Sequence, residues 1–116
     1  MSWKYEFAPG GIGFVSDRSL GKDYRGDMFI GSASGRGGNI FHLPIHNNRK
    51  EIDPDDRRLR DGVADNLRKY DLTESETLLF GSNFGVTPEV EESPRGSLIV
   101  ASSSLGTVFE IRKKDN

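Results

Sequence analysis

The sequence predicts an all-β domain, and three observations support this fold class. The 116 residues include 14 glycines and five prolines, more turn-forming residues than a helical bundle tolerates. The apolar residues occur in runs of about four to seven positions bounded by glycine, which is typical of short buried strands. The outline of one hairpin also occurs twice. At this length we expect one domain, 1–116.

The predicted strands follow these apolar runs in chain order. Ile12–Val15 follows a proline-glycine turn, and Met28–Ile30 is a continuous apolar run between glycines. The segment 32–38 consists of small residues plus Arg36, so it predicts a hairpin tip leading into a strand over 39–45. The later predicted strands include 77–81, 97–101 and 107–111.

The internal repeat is visible in two pairs of segments. GDMFIGSAS (26–34) aligns with GSLIVASSS (96–104), and GNIFHL (38–43) aligns with GTVFEI (106–111). The copies start 70 positions apart, and a charged excursion between them accounts for the long spacing. We therefore predict two blade-like units, at about 5–52 and about 77–113, separated by the excursion at about 53–76.

The charged excursion has two interpretations. Leu59, Val63, Leu67 and Tyr70 fall at helical spacing, with Asp53 as a candidate N-cap, which predicts one short helix within 53–70. Gly62 weakens that helix, so a loop is an equal alternative.

Composition excludes several function classes. A formal charge of −2 argues against nucleic acid as a partner. The absence of cysteine excludes thiolate metal sites and cysteine nucleophiles. No apolar run approaches the roughly 20 residues of a membrane span, and the first residues lack the apolar core of a signal peptide. We expect no membrane association, and the cytoplasm is the default location.

Several short segments resemble one known family. They are APGGIGF (8–14), YRGDMFIG (24–31), GNIF (38–41), VADN (63–66), FGSNFGV (80–86) and PEVEESPRGSLIV (88–100). This series resembles the last part of the soluble glucose/sorbosone dehydrogenases, which are six-bladed β-propellers using pyrroloquinoline quinone and calcium. The resemblance implies two four-stranded antiparallel propeller-type blades, and these enzymes are often exported.

The resemblance also implies where a ligand would bind. The hairpin tip and the connection over 83–89 would lie at the top of the propeller, so the candidate ligand-binding residues are Ser34, Arg36, Asn39, Asn83, Thr87 and Glu89. The family's general-base histidine belongs to earlier blades. Its cofactor-contacting arginines have no counterpart at 86–90, and its lysine is replaced by Ser34. We expect no catalytic residue, no metal site and no cofactor in the isolated chain, with quinone and calcium implied by the resemblance alone.

Other reactive residue types have simpler structural interpretations. His42 and His46 could share a strand face as a metal or acid–base pair, but rim histidines are favoured. The cluster Asp53, Asp55 and Asp56 has calcium-type oxygens, yet a helix cap or acidic turn is favoured. The glycine-rich tip lacks the lysine-serine element of a phosphate loop, and Ser102–Ser104 lack a nucleophile elbow. Glu91, Glu92 and the basic end 112–114 are interpreted as solvated charge.

Two functions follow as expectations. Two blades cannot close a ring, so the apolar runs at 28–30, 78–80 and 98–100 would be bare on the outer faces. The first expectation is a non-catalytic module that forms a homo-oligomer, dimer or trimer, through these faces and binds a small polar or sugar-like ligand. The alternative is part of a quinone-dependent sugar dehydrogenase, active only when an oligomer or companion chain supplies the other blades.

Overall fold

The computed structural model describes residues 1–33, 37–46 and 51–114, with the backbone alone at His46. The described residues form short strands and three single-turn 3-10 helices, so the predicted all-β class is confirmed. The strands are β1 Ser2–Trp3, β2 Pro9–Phe14, β3 Met28–Ser32, β4 Asn39–Leu43, β5 Ile45–His46, β6 Glu51–Ile52, β7 Val63–Ala64, β8 Leu79–Ser82, β9 Glu89–Glu92, β10 Leu98–Ser102 and β11 Thr107–Ile111. No helix among these residues is long and apolar enough to cross a membrane.

The first sheet is antiparallel with strand order β2-β3-β4-β8. The hairpin of β3 and β4 pairs Ile30 with Phe41, as expected for a hairpin tip between residues 32 and 39. The fourth strand is β8, in which Leu79 pairs with Phe41. The segment that the sequence placed at the start of the second unit thus belongs to the first sheet.

The second sheet is antiparallel with strand order β9-β10-β11. Val100 pairs with Val90 on one side and with Phe109 on the other. The predicted fourth strand of this unit is wrong for the described residues, because the strand expected to supply it pairs with β4 instead. The two units therefore have four strands and three strands.

The two sheets pack face to face through one apolar core. Its buried side chains are Val15, Leu20, Phe29, Ile40, Val90, Leu98 and Val100. At one margin the first strands of both sheets, β2 and β9, approach so closely that a Cβ on Gly11 would lie 2.6 Å from the Pro88 carbonyl oxygen. The Gly11 N–H donates to the Thr87 carbonyl at 2.8 Å. Glycines in β2 are needed for this contact between backbones.

A second core lies on the other face of the first sheet. Ile30, Phe41 and Leu43 pack there against Leu59 and Ala64 of the charged excursion and against Leu78, which follows it, with Trp3 and Phe7 from the N-terminal segment. Trp3 also reaches this face through the two-residue parallel pair of β1 and β7. The expectation that the apolar runs would be bare is therefore wrong for most of their side chains, because the excursion and the second sheet cover them.

The excursion is a loop held by polar contacts rather than a helix. One 3-10 turn, Arg57–Leu59, is N-capped by the Asp56 carboxylate, which accepts from the Arg58 N–H at 2.9 Å. Leu67 is 77 % exposed, so the predicted apolar helical face does not form. The loop alternative is confirmed, and the cap is Asp56 rather than Asp53.

Candidate functional site

The predicted ligand-binding region joins the described part of the hairpin tip to the connection between β8 and β9. The Gly85 N–H donates to the Gly37 carbonyl at 2.5 Å, and the Phe84 N–H donates to the Gly38 carbonyl at 3.3 Å. A Cβ on Gly37 would lie 2.7 Å from Asn83 Oδ1. The structure thus brings the connection and the tip together. Ser34 and Arg36 lie outside the described residues.

The remaining predicted residues do not gather around Asn83. Asn39 and Thr87 are each 1 % exposed, so their side chains lie inside the protein and not on a binding surface. Thr87 Oγ1 has no hydrogen-bond partner among the described residues and lies against Gly31. Glu89 is exposed on β9, where it lines a shallow depression of about 440 Å³ with Phe14 and Glu91. Among the predicted residues that the structure describes, Asn83 alone has an exposed polar side chain in contact with the tip.

The serine run supports the same connection from the β10–β11 turn. The Ser104 hydroxyl accepts from the Val86 N–H at 2.8 Å, and the Val86 carbonyl accepts from the Ser103 N–H at 2.8 Å. The Ser102 hydroxyl accepts from the Leu105 N–H at 3.3 Å. These hydroxyls satisfy backbone groups of turns, as expected for polar residues at a strand end.

The residues present do not fit the cofactors that the resemblance implies. A quinone carrying carboxylates needs cationic partners, yet the described segments 37–39, 82–89 and 102–105 contain neither lysine nor arginine. Their one charged side chain is the carboxylate of Glu89. In the described part of the chain no three histidine, aspartate or glutamate side chains are grouped closely enough to hold a metal ion. We derive no chemistry through quinone or calcium for this chain.

One polar pair was missed by the sequence analysis. His42 Nε2 lies 2.7 Å from Asp27 Oδ2, and the other carboxylate oxygen accepts from the Ile45 N–H at 3.0 Å. The imidazole packs between Phe29, at 5.1 Å between ring centroids, and Tyr24, at 4.8 Å. The strand register contained the signal, since pairing Phe29 with His42 brings Asp27 to the end of β4. The side chain of His46 lies outside the described residues, so neither the favoured interpretation as rim histidines nor the alternative of a histidine pair is tested at that position.

The His42 side of this pair faces a cavity too small for a substrate. The cavity is about 120 Å³, below the roughly 300 Å³ at which ligand pockets begin, and Asp55, Asp56 and Thr77 also line it. Hydrogen bonds from the Arg58 side chain, its backbone N–H and the Thr77 hydroxyl hold the pKa of Asp56 well below its ordinary value. The Thr77 hydroxyl donates to Asp56 at 2.8 Å. The pair orients the end of β4.

An apolar groove lies on the outer side of the first sheet, near its first strand. It has a volume of about 470 Å³ and is lined by Trp3, Phe7, Ile12, Met28, Ile30, Leu43, Ile52 and their neighbours. Ile12 and Phe14 are 53 % and 58 % exposed beside it. Large apolar side chains exposed on neighbouring positions are typical of an interaction surface.

No protein-family model, curated protein or solved structure matches the chain. The resemblance to the sugar dehydrogenase propellers therefore stays a prediction, and the function must be argued from the surfaces and cavities themselves.

Proposed function

We propose that the chain is a non-catalytic, propeller-type β-sheet module that binds copies of itself in head-to-tail order. A small polar ligand would bind beside Asn83 and Gly37, where the tip and the connection meet. The observation that carries the proposal is the order in which equivalent sheet faces pack.

The packing order repeats between the two hairpins. In the second sheet, Leu98, Val100 and Phe109 face the first sheet. Their counterparts in the first hairpin, Met28, Ile30 and Phe41, face the opposite way, toward the excursion. Each hairpin thus uses the equivalent face to contact its neighbour on the same side of the stack of sheets. Such packing is heterologous and can continue with a further sheet.

The outer face of the second sheet is the last face in this order, and it is open. Ile40 of the first hairpin is fully buried against the second sheet, whereas its counterpart Val108 is 66 % exposed. Ile99 beside it is half-buried. At the other end of the stack, Ile12 and Phe14 are exposed next to the apolar groove.

The occupant of the open face is a second copy of the chain. The contact between β2 and β9 places the first strands of the two sheets side by side, which supports a wedge of the kind that neighbouring propeller blades form. One copy would supply two sheets, so three copies would supply a ring of six. A dimer would be held by one contact of this kind. The excursion covers part of the first sheet, so it limits how closely a partner can approach the apolar groove.

Complementation between two variants tests the head-to-tail contact. The first variant, Ile99→Lys/Val108→Lys, alters the outer face of the second sheet. The second, Ile12→Lys/Phe14→Lys, alters the first strand beside the apolar groove. Lysine is tolerated on exposed sheet positions. We expect the natural protein to form dimers or trimers in analytical ultracentrifugation, and each variant alone to be a monomer. An equimolar mixture is expected to form a dimer and nothing larger, because it contains one intact contact.

Leu67→Lys serves as the matched control, since Leu67 is 77 % exposed on the excursion and should leave assembly unchanged. Circular dichroism checks that each variant is folded. A natural protein that stays monomeric at every concentration, or a variant mixture without heterodimer, would overturn the proposal.

A further inference from the structure

A second and larger cleft lies between the loop 17–24, the turn at Gly96 and the residues that follow β11. Its volume of about 910 Å³ is within the range of small-molecule sites. The side chains and backbone that line it belong to Asp17, Arg18, Ser19, Leu20, Gly21, Lys22, Asp23, Tyr24, Gly96, Arg112 and Lys113. None of these residues belongs to the surfaces proposed for self-association.

The cleft carries an excess of positive charge. Lys22, Arg112 and Lys113 have no carboxylate of the described residues within salt-bridge distance. The other cation, Arg18, lies 3.5 Å from Glu92, and the Asp17 carboxylate lies 2.9 Å from Arg25. The cleft therefore has three cations without a carboxylate partner and one carboxylate, that of Asp23, without a cationic partner. This local positive charge contrasts with the formal charge of −2 on the whole chain.

The loop also offers hydrogen-bond donors to an occupant. The backbone N–H groups of Gly21, Lys22 and Asp23 donate to no acceptor among the described residues, whereas residues 17–19 form a hydrogen-bonded turn. The Ser19 hydroxyl is buried, and it has no hydrogen-bond partner in the described part of the chain. Successive unpaired N–H groups beside cations are a common arrangement for binding phosphate oxygens.

The walls of the cleft are fixed in place by the fold. The Lys113 N–H donates to the Ser19 carbonyl at 2.9 Å, which ties the end of the chain's last strand to the loop. Gly21 has a φ of 93°, and a Cβ there would lie 3.4 Å from Lys113 Nζ. The ammonium group of Lys113 is thus held over the backbone of the loop. Preorganised donors lower the entropy lost on binding.

We propose that this cleft binds a small ligand through a phosphate group, with a diphosphate as the best match to three converging cations. Lysine and arginine bind phosphate oxygens through charge-assisted hydrogen bonds, and the free N–H groups of Gly21, Lys22 and Asp23 supply further donors. The basic residues after β11 thereby form one wall of a binding site, in addition to being solvated charge.

Titration with pyrophosphate, a hexose 6-phosphate and citrate at low ionic strength, monitored by ¹⁵N–¹H NMR, tests the proposal. We expect saturable shifts at the amides of residues 19–23, 96, 112 and 113, and tighter binding of pyrophosphate than of the other two probes. Lys22→Gln/Lys113→Gln is expected to weaken pyrophosphate binding at least about tenfold, because two charge-assisted hydrogen bonds are lost.

Arg57→Gln/Arg60→Gln removes the same charge from exposed positions of the excursion and is the matched control. It is expected to change the affinity less than about twofold, because distant surface charges are screened. Equal weakening by both double variants, shifts that map outside the cleft, or citrate binding as tight as pyrophosphate would overturn the assignment. Tighter binding of the hexose 6-phosphate than of pyrophosphate would overturn the preference for a diphosphate.

Discussion

The two hairpins of this protein share one sequence outline but lie in different surroundings. In the first, Phe29, Ile40 and Phe41 are fully buried, because the second sheet covers one face and the excursion covers the other. In the second, Leu98 and Val100 are fully buried against the first sheet, but Val108 on the other face is 66 % exposed. The same pattern of apolar residues thus forms a sandwiched hairpin in one place and a one-sided hairpin in the other.

This difference shows that continuous apolar runs do not by themselves indicate burial on both faces. The outer face of the second sheet places Glu89, Glu91 and Glu110 around Ile99 and Val108. Carboxylates beside apolar side chains let a sheet face remain in contact with water. The first sheet needs no such residues, because the chain itself covers it.

The largest expected effect separates the two hairpins directly. Phe41→Ala should lower the free energy of unfolding by about 3–5 kcal/mol, because a fully buried ring is replaced by a cavity. Phe109→Ala, at the equivalent position of the second hairpin, should cost about 1–2 kcal/mol, because its ring is only partly buried against the first sheet. Urea unfolding of both variants measures the two values. Equal losses would contradict the difference in burial between the two rings.

The next effect concerns the contact between the two sheets. Gly13→Ala should lower the free energy of unfolding by about 2–3 kcal/mol, since the new Cβ would overlap the Val90 carbonyl and push β9 away from β2. Gly62→Ala is the control: nothing lies within 4 Å of the new Cβ, so only its φ of 81° costs about 1 kcal/mol. A tolerated Gly13→Ala would contradict the close backbone approach.

The smallest effect concerns the excursion that covers the first sheet. Asp56→Asn should lower the thermal midpoint slightly at neutral pH, because the amide loses the hydrogen bonds from Arg58 and Thr77. Those bonds lower the pKa of Asp56 in the folded chain, so its stabilising contribution exists above its unfolded pKa near 4 and disappears as pH falls through the folded value. Thermal scans from pH 7 to pH 2 should show the two proteins converge. A constant difference would exclude this carboxylate as the cause.

Local sequence was a good guide to strands and said less about which side chains the packed sheets bury. The runs at 28–30, 39–43, 98–101 and 107–111 became strands because apolar runs between glycines have few alternatives. The helix expected from Leu59, Val63, Leu67 and Tyr70 did not form, because isolated helices of that length need a covered apolar face and Leu67 has none. Among the candidate site residues, Thr87 is buried by the contact between the two sheets. The position of a small polar residue along the chain does not reveal such burial.

The amino-acid sequence by itself determined the all-β class and the repeated hairpin, since glycine placement and apolar runs act over a few residues. Only the tertiary structure decided which sheet receives β8, that the excursion covers the first sheet, that His42 meets Asp27, and that Lys22 and Lys113 line one cleft. These outcomes depend on side chains far apart in sequence, whose meeting is set by competition between alternative packings of the whole chain rather than by local preference.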